Sequence, residues 1–341
     1  MMSAPVRTAP RRIAAGPSIL PGVASARFDL RPVYEPLIFL VLTSAAYFAM
    51  PPNMQYILGI AVIYALLTTS LSVLFGWTGT YTFGHAAFFG MGAYAAALLK
   101  DQAWGPLTFL GVSAAVAAVA AVVIGLIGRR LAKVEFAMLT MIVGQIAYLL
   151  TFRVPELEGD NGIYGIPRGE IAGVDLAPPE TFWWYSVIVV AVVMGLLRRI
   201  NLSSFGESLS AIRDDPVKAA AIGIPVNALR LAAFTLAGAV AGLAGGLFAQ
   251  QGSIVTPSTL SFTFSGQIII MALLGGMTRF WGPAVGAILF QFINALVFGN
   301  TPHATLVLGA ILLAVVLVFP SGVLGVLSRL RGLLSRGRRT R

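Results

Sequence analysis

The side chains able to do chemistry are few. The chain has two histidines, His85 and His303, and no cysteine, which removes disulfides, thiolate ligands and thiol redox exchange. His85 stands in an apolar, Gly-rich stretch without a second His, Cys or carboxylate beside it, whereas a metal site needs three or four such ligands. We therefore expect no metal, and a hydrogen-bonded packing role for His85. A P-loop needs Gly-Lys-Ser/Thr to clamp phosphates, yet none of Lys100, Lys133 and Lys218 follows a glycine. No carboxylate pair or activated nucleophile lies in an apolar run, so we expect neither an enzyme nor a cofactor bound by this chain.

What remains is chemistry of contact. In Gly206-Glu-Ser-Leu-Ser-Ala-Ile-Arg-Asp-Asp-Pro-Val-Lys-Ala-Ala-Ala-Ile-Gly223, the residues Glu207, Arg213, Asp214, Asp215 and Lys218 stand beside small apolar ones. A capping box from Ser204 to Glu207 predicts a short helix to about Ile212. Asp215 then predicts a second, with Pro216 in its first turn and Gly223 at its end. Such a pair suits docking in a partner's groove. A second cluster, Thr78, Thr80, Thr82, Gly84, His85 and Gly90, offers hydroxyl and backbone dipoles that could line a polar path, or glycines that let helices approach closely. Gly238, Gly242 and Gly246, spaced by four, predict helix packing.

The elements that position these residues follow from composition: 57% of 341 residues are hydrophobic and 11% charged. So much apolar surface needs the bilayer as solvent. Apolar runs recur at roughly 36 to 50, 54 to 75, 81 to 99, 107 to 127, 136 to 152, 182 to 197, 231 to 251, 262 to 278, 282 to 298 and 304 to 320. Most approach the ~20 residues that span a ~30 Å hydrocarbon core. The expected fold is an all-α, polytopic bundle of about 10 (8–10) crossings, with the run from 81 broken or re-entrant. Residues 36–320 form the membrane domain, with an external loop at 153–181 and a cytoplasmic loop at 198–230. Residues 1–35 are expected to be a disordered basic cytoplasmic tail, since Gly16, Pro17 and Pro21 interrupt what would be a signal-peptide helix. Residues 321–341 are expected to be a basic cytoplasmic tail.

Threading the chain with both termini inside puts 20 of the 23 Lys and Arg on the cytoplasmic side, leaving Lys100, Arg153 and Arg168 outside. Loop 153–181 then carries six acids against two bases, a net charge of −4. Basic residues between membrane runs report topology and argue against nucleic acid as a partner. Within the runs so delimited there is no Asp, Glu, Lys or Arg, only His85 and amides such as Gln145, Gln250, Gln267, Gln291 and Asn294. Ion-coupled carriers place ionisable groups at the membrane midplane. The energy is therefore expected to come from a partner docking on the 206 to 223 segment.

Three further runs sharpen this. Gly76-Trp-Thr-Gly-Thr-Tyr-Thr-Phe-Gly-His-Ala-Ala-Phe-Phe-Gly-Met-Gly-Ala-Tyr94, Leu274-Gly-Gly-Met-Thr-Arg-Phe-Trp-Gly-Pro-Ala-Val-Gly286 and Gly159-Asp-Asn-Gly-Ile-Tyr-Gly-Ile-Pro167 join the 206 to 223 segment in a fixed order. Together they resemble the branched-chain amino acid ABC permease family, LivM-type. Glu158 and Gly159 depart from the family's usual Gly-Gly-Ser/Thr. The resemblance implies a subunit in a bacterial inner membrane, beside a second related permease, two cytoplasmic ATPase subunits that use the ATP, and an extracytoplasmic solute-binding protein. It implies Asp160, Asn161 and Gly162 as external contacts. The expected activity is import of a branched-chain or related amino acid. The alternatives are a same-family importer of urea, amides or aromatic acids, or an ion-coupled carrier or channel. The bends at 76 to 84 and 275 to 286 also hint at an internal repeat.

Overall fold

The computed structural model describes residues 30–298 except 103 and 132, together with 309, 322 and 325. The run at 304 to 320 apart from residue 309, both tails apart from residues 30–35, 322 and 325, and His303 lie outside the described residues. The membrane helices are α1 (Arg31–Ala49), α2 (Pro52–Ser72), α3 (His85–Leu98), α4 (Pro106–Gly128), α5 (Lys133–Leu150), α6 (Pro179–Asn201), α9 (Val226–Gly252), α10 (Phe262–Gly275) and α11 (Gly282–Phe298). Between α6 and α9 lie α7 (Ser204–Asp214) and α8 (Pro216–Ala221). Proline opens α2, α4, α6 and α8, where its missing N–H would be unsatisfied anyway.

Among the described residues, six helices are long and apolar enough to cross a membrane, and α3, α10 and α11 are shorter apolar ones. The fold is an all-α, multi-pass membrane bundle. Helix α9, with 27 residues, reaches about 40 Å at 1.5 Å per residue, whereas the 14 residues of α3 reach only about 21 Å. The run from 81 therefore does not span as one helix. Helix α2 continues as a π-helical turn over Val73–Thr78, and Gly79 then leaves the helix at φ +64°. The chain is irregular to Gly84, with a bend at Phe83, before α3 starts.

Several sequence boundaries move. Helix α1 begins at Arg31, so the expected tail loses its last five residues to a helix and Glu35 enters a membrane element. Helices α6 and α9 extend into the expected 198–230 loop, taking Arg198, Arg199 and Arg230 with them. Charged side chains at helix ends keep their heads near water while the helix remains apolar inside. Apolar runs locate the hydrocarbon core and so stop short of these ends.

Helix α2 forms the centre, with 83% of its most apolar window buried, against 22% for α1 and for α5, whose outer faces carry exposed Val, Leu, Ile and Met. Helix α9 lies between α3 and α4. A Cβ on Gly238, Gly242 or Gly246 would strike Ala121, Ala117 or Ser113 of α4, and one on Gly245 would strike the Phe89 carbonyl of α3. The glycine ladder is thus a packing surface, holding helices by dispersion where lipid supplies no hydrophobic drive.

Three cross-links sort the loops into two ends. Ile163 and Tyr164 (β1) pair antiparallel with Ile254 and Val255 (β4), joining the loop after α5 to the chain after α9. Glu35, Arg198 and Trp281 meet at the opposite end, as do Arg213 and Gly76. A second short ladder, Glu170–Ile171 (β2) with Val174–Asp175 (β3), closes a hairpin in the loop between α5 and α6. One end carries Arg129, Arg130, Lys133, Arg198, Arg199, Arg213, Lys218, Arg230 and Arg279 and is the basic end. The other carries most of the acids.

Candidate functional site

At the basic end, α7 buries Leu209 and Ile212 against the bundle, and α8 buries Ala219. The expected capping box is absent. Ser203, not Ser204, is the N-cap, and its hydroxyl donates back to the Ile200 carbonyl at 2.6 Å instead of accepting from α7. The end of α6 is only two residues away, so its free carbonyls compete for the hydroxyl. Helix α7 also runs to Asp214, two residues past the expected end.

The second helix matches its sequence signals. Asp215 Oδ1 accepts from the Val217 and Lys218 amides at 3.0 and 3.1 Å, and Gly223 leaves the helix at φ +89°. Hydrogen bonds from Lys218, first its amide and then its side chain, hold the Asp215 carboxyl below its usual 3.8. Val217 and Ile222 of this loop are each 77% exposed. Val217 on α8 and Ile222 at its C-cap thus stay outside the packing that buries Ala219.

Arg213 ties this loop to the membrane bend. Its Nη1 donates to the Gly76 carbonyl at 2.7 Å, its Nε and Nη2 to Asp214 Oδ1, and its methylenes cover Gly79. Glu207 does not take part in that clasp. It lines, with Trp77, Arg198, Ser210, Arg213 and Trp281, an open groove of about 690 Å³ between α7 and the 276 to 281 turn. The two Gly-rich bends meet there: Gly76 abuts the Met277 carbonyl, and the Trp77 and Phe280 rings stack with centroids 6.4 Å apart.

Sequence reasoning missed the clamp beside that groove. Arg198 Nε lies 2.8 Å from Glu35 Oε2, Arg198 Nη2 donates to Glu35 Oε1 at 3.0 Å, and Trp281 Nε1 donates to Glu35 Oε2 at 2.7 Å. Arg198 also covers the Phe280 ring, and Phe39 stacks on Trp281. One carboxylate thereby joins α1, α6 and the α10–α11 turn. No local pattern links positions so far apart in the chain.

The hydroxyls of the first bend satisfy its broken backbone. Thr78 donates to the Leu74 carbonyl, and Thr82 accepts from the Gly84 amide. From other helices, Thr140 accepts from the Phe83 amide and Ser265 from the Ala86 amide. His85 is fully buried with Nε2 2.8 Å from Ser70 Oγ. A Cβ on Gly84 would strike the Thr140 carbonyl, and one on Gly90 would strike Leu260. Thr78, Thr82, Gly84, His85 and Gly90 therefore lie packed inside this chain. Thr80 faces a small cavity at the basic end.

A polar surface does exist elsewhere in the membrane domain. After β4 the chain turns inward through Pro257–Leu260, and Ser261 caps α10 by accepting from the Phe264 amide at 3.2 Å. Phe262 reaches Phe83, and Ser265 reaches the start of α3, so the first turn of α10 lies against the beginning of α3. Beside it is a cleft of about 510 Å³ whose polar lining includes Thr256, Ser258, Thr263, Gln267, Gln291 and Asn294, with no charged residue. The amides at 267, 291 and 294 were visible in sequence. Their convergence with hydroxyls from the loop before α10 was not.

At the acidic end, Asp160 and Asn161 are exposed in a 3-10 turn, while Gly162 is buried with its Cα against the Val255 carbonyl. Arg168 donates to the carbonyls of Gln250, Gln251 and Ala177, capping the end of α9. Lys100 pairs with Glu158 at 3.7 Å.

Comparison with known proteins agrees with this geometry. Residues 53–317 match the family model described as branched-chain amino acid transport system / permease component. The chain is 28% identical to the high-affinity branched-chain amino acid transport system permease protein LivM of Escherichia coli K12, over 84% of this chain and 73% of that one. It is 23% identical to LivH of the same strain, over 77% of this chain and 91% of that one. It is 30% identical to the autoinducer 2 import system permease protein LsrC of Escherichia coli K12 / DH10B over 54% of its length, covering 55% of LsrC. No solved structure matches. A bundle of broken and full-length apolar helices, built on the matched residues, makes this chain a member of the branched-chain amino acid transport system permease family.

Proposed function

We propose that this chain is the LivM-type permease subunit of an ATP-driven importer, carrying branched-chain or related amino acids across a bacterial inner membrane. The observation that carries the reading is the α7–α8 loop, which clasps the membrane bend through Arg213 and Gly76 while leaving Val217 and Ile222 exposed. One face of the loop holds the bundle and the other awaits a partner. Two cytoplasmic ATPase subunits occupy that face in this reading, and ATP is theirs. The basic end is cytoplasmic by the charge rule for membrane loops, which puts both termini inside.

The uncharged cleft beside α10 and α11 forms this chain's share of the solute path, closed on its other side by a second, related permease. Hydroxyls and amides can exchange hydrogen bonds with a zwitterion without holding it as an ion pair would, so release remains fast. The exposed turn at Asp160 and Asn161 receives an extracytoplasmic binding protein. ATPase closure moves the loop, and the helices rock around the path. The test is reconstitution in liposomes with those subunits: leucine should accumulate only with ATP and binding protein present, and Gln291→Leu with Asn294→Leu should slow it. Uptake driven by an ion gradient through this chain alone would overturn the reading. Accumulation of urea or an aromatic acid in place of leucine would change the solute only.

A further inference from the structure

A cavity at the basic end has no part in the transport reading. The last turns of α4 supply Gly125, Gly128 and Arg129, α5 begins with Lys133, and α9 presents Asn227, Arg230 and Leu231 on one face. Thr80 of the membrane bend completes the rim, and Phe136 and Phe234 form an apolar floor. The space is partly open and of about 60 Å³, room for a compact polar group.

Three features give the space a sign. Arg129, Lys133 and Arg230 all line it, no acid does, and among the described residues none of the three has an ion-pair partner. Glu135, the nearest acid in sequence, is exposed, outside the lining and engaged in an interaction of its own. Helices α5 and α9, of 18 and 27 residues, begin here with their positive ends, set against the negative end of α4, which stops here with the Arg129 side chain over it. Independently, Arg230 Nε is buried without an acceptor, and a buried donor of this kind calls for one.

We propose that this cavity binds the phosphate of an anionic phospholipid from the leaflet facing the basic end. The lipid, not a soluble anion, is favoured because Leu126, Ile127 and Val134 beside the cavity are 45%, 64% and 72% exposed, a surface for acyl chains. Through Thr80 the bound phosphate abuts the bend that Arg213 clasps at Gly76 and Gly79, so the lipid steadies the contact that receives the ATPase stroke. Lipid binding itself does not depend on the solute, and its test uses the full chain alone.

The full-length chain is placed in nanodiscs of phosphatidylcholine alone or with phosphatidylglycerol, and retained lipid is counted by native mass spectrometry beside a thermal melt. Wild type should retain one phosphatidylglycerol and melt higher with it. Each basic residue removed should weaken retention about fivefold, so Lys133→Gln with Arg230→Gln weakens it about 25-fold. Arg130→Gln, in the same turn but outside the cavity, should behave as wild type. If the double variant does not melt cooperatively in phosphatidylcholine, Arg129→Gln is read against Arg130→Gln. Unchanged retention in the cavity variants overturns the site, and equal stabilisation by inorganic phosphate overturns the lipid as its ligand.

Discussion

Removing the Arg213 side chain should uncouple ATP hydrolysis from solute without unfolding the protein. In Arg213→Ala the Gly76 carbonyl loses a charge-assisted donor at 2.7 Å. Such bonds contribute about 1.5–3 kcal/mol when shielded. The Arg213 side chain is 37% exposed and its partner Asp214 71%, so solvent screening brings the contact to about 1 kcal/mol and the ion pair close to nothing. A loss of that size leaves a bundle with this many buried residues folded. A coupling contact of about 1 kcal/mol shifts a two-state balance about fivefold, and stimulation of the ATPase by loaded binding protein should fall by that factor. Arg213→Lys, which keeps charge but not the fork, should fall between. Gly79→Val attacks the same contact from the membrane side: at φ +64° a β-branched residue is strained, and its Cβ would press on Arg213 Cγ at 3.1 Å. The assay is ATP turnover in proteoliposomes with and without solute, basal turnover serving as the folding control. Wild-type stimulation in both Arg213→Ala and Gly79→Val would refute the role given to this clasp.

Three further outcomes follow from other contacts. Glu35→Ala strands Arg198 and removes the acceptor of Trp281; with side chains only 15% and 17% exposed beside an open groove, the loss should be about 2 kcal/mol, below the 3–5 of a sealed pair. An unchanged thermal melt in detergent would show the clamp to be idle. Asp215 is ionised more readily in the folded state, so its support for α8 is present above 3.8, its ordinary value, and is lost as pH falls through the lower folded value. Protection of the Val217 and Lys218 amides from hydrogen exchange, taken relative to the intrinsic rate at each pH, should therefore fall as pH drops below 3.8 through the lower folded value in wild type and show no such step in Asp215→Asn. Gly242→Val drives a side chain into Ala117 and the Ser113 carbonyl and should cost about 1–3 kcal/mol or abolish folded yield, while Gly111→Ala, with open space around it, should be neutral or stabilising; equal melts for the two would contradict the close approach of α9 and α4.

Composition and charge spacing alone determined that this is a multi-pass helical membrane protein with a basic and an acidic end. Hydrocarbon tolerates almost nothing but apolar helices, so the constraint is written into every run of residues. The caps at Asp215 and Gly223, the failure of the run from 81 to span as one helix and the packing role of Gly238, Gly242 and Gly246 were legible for a similar reason, each being a local demand of backbone geometry. The capping box at Ser204 was misread because α7 takes Ser203 as its N-cap, and the end of α6 offers the Ser203 hydroxyl a nearer acceptor. Only tertiary structure could decide which polar residues gather. Glu35 meets Arg198 and Trp281 across most of the chain, Thr78 turns inward to satisfy a broken backbone, His85 turns inward to the Ser70 hydroxyl, and Gln267, Gln291 and Asn294 join Thr256 and Thr263 around one cleft. Whether a hydroxyl or amide serves the fold or a solute depends on what lies across from it, and that is a property of the packed chain, not of its spacing.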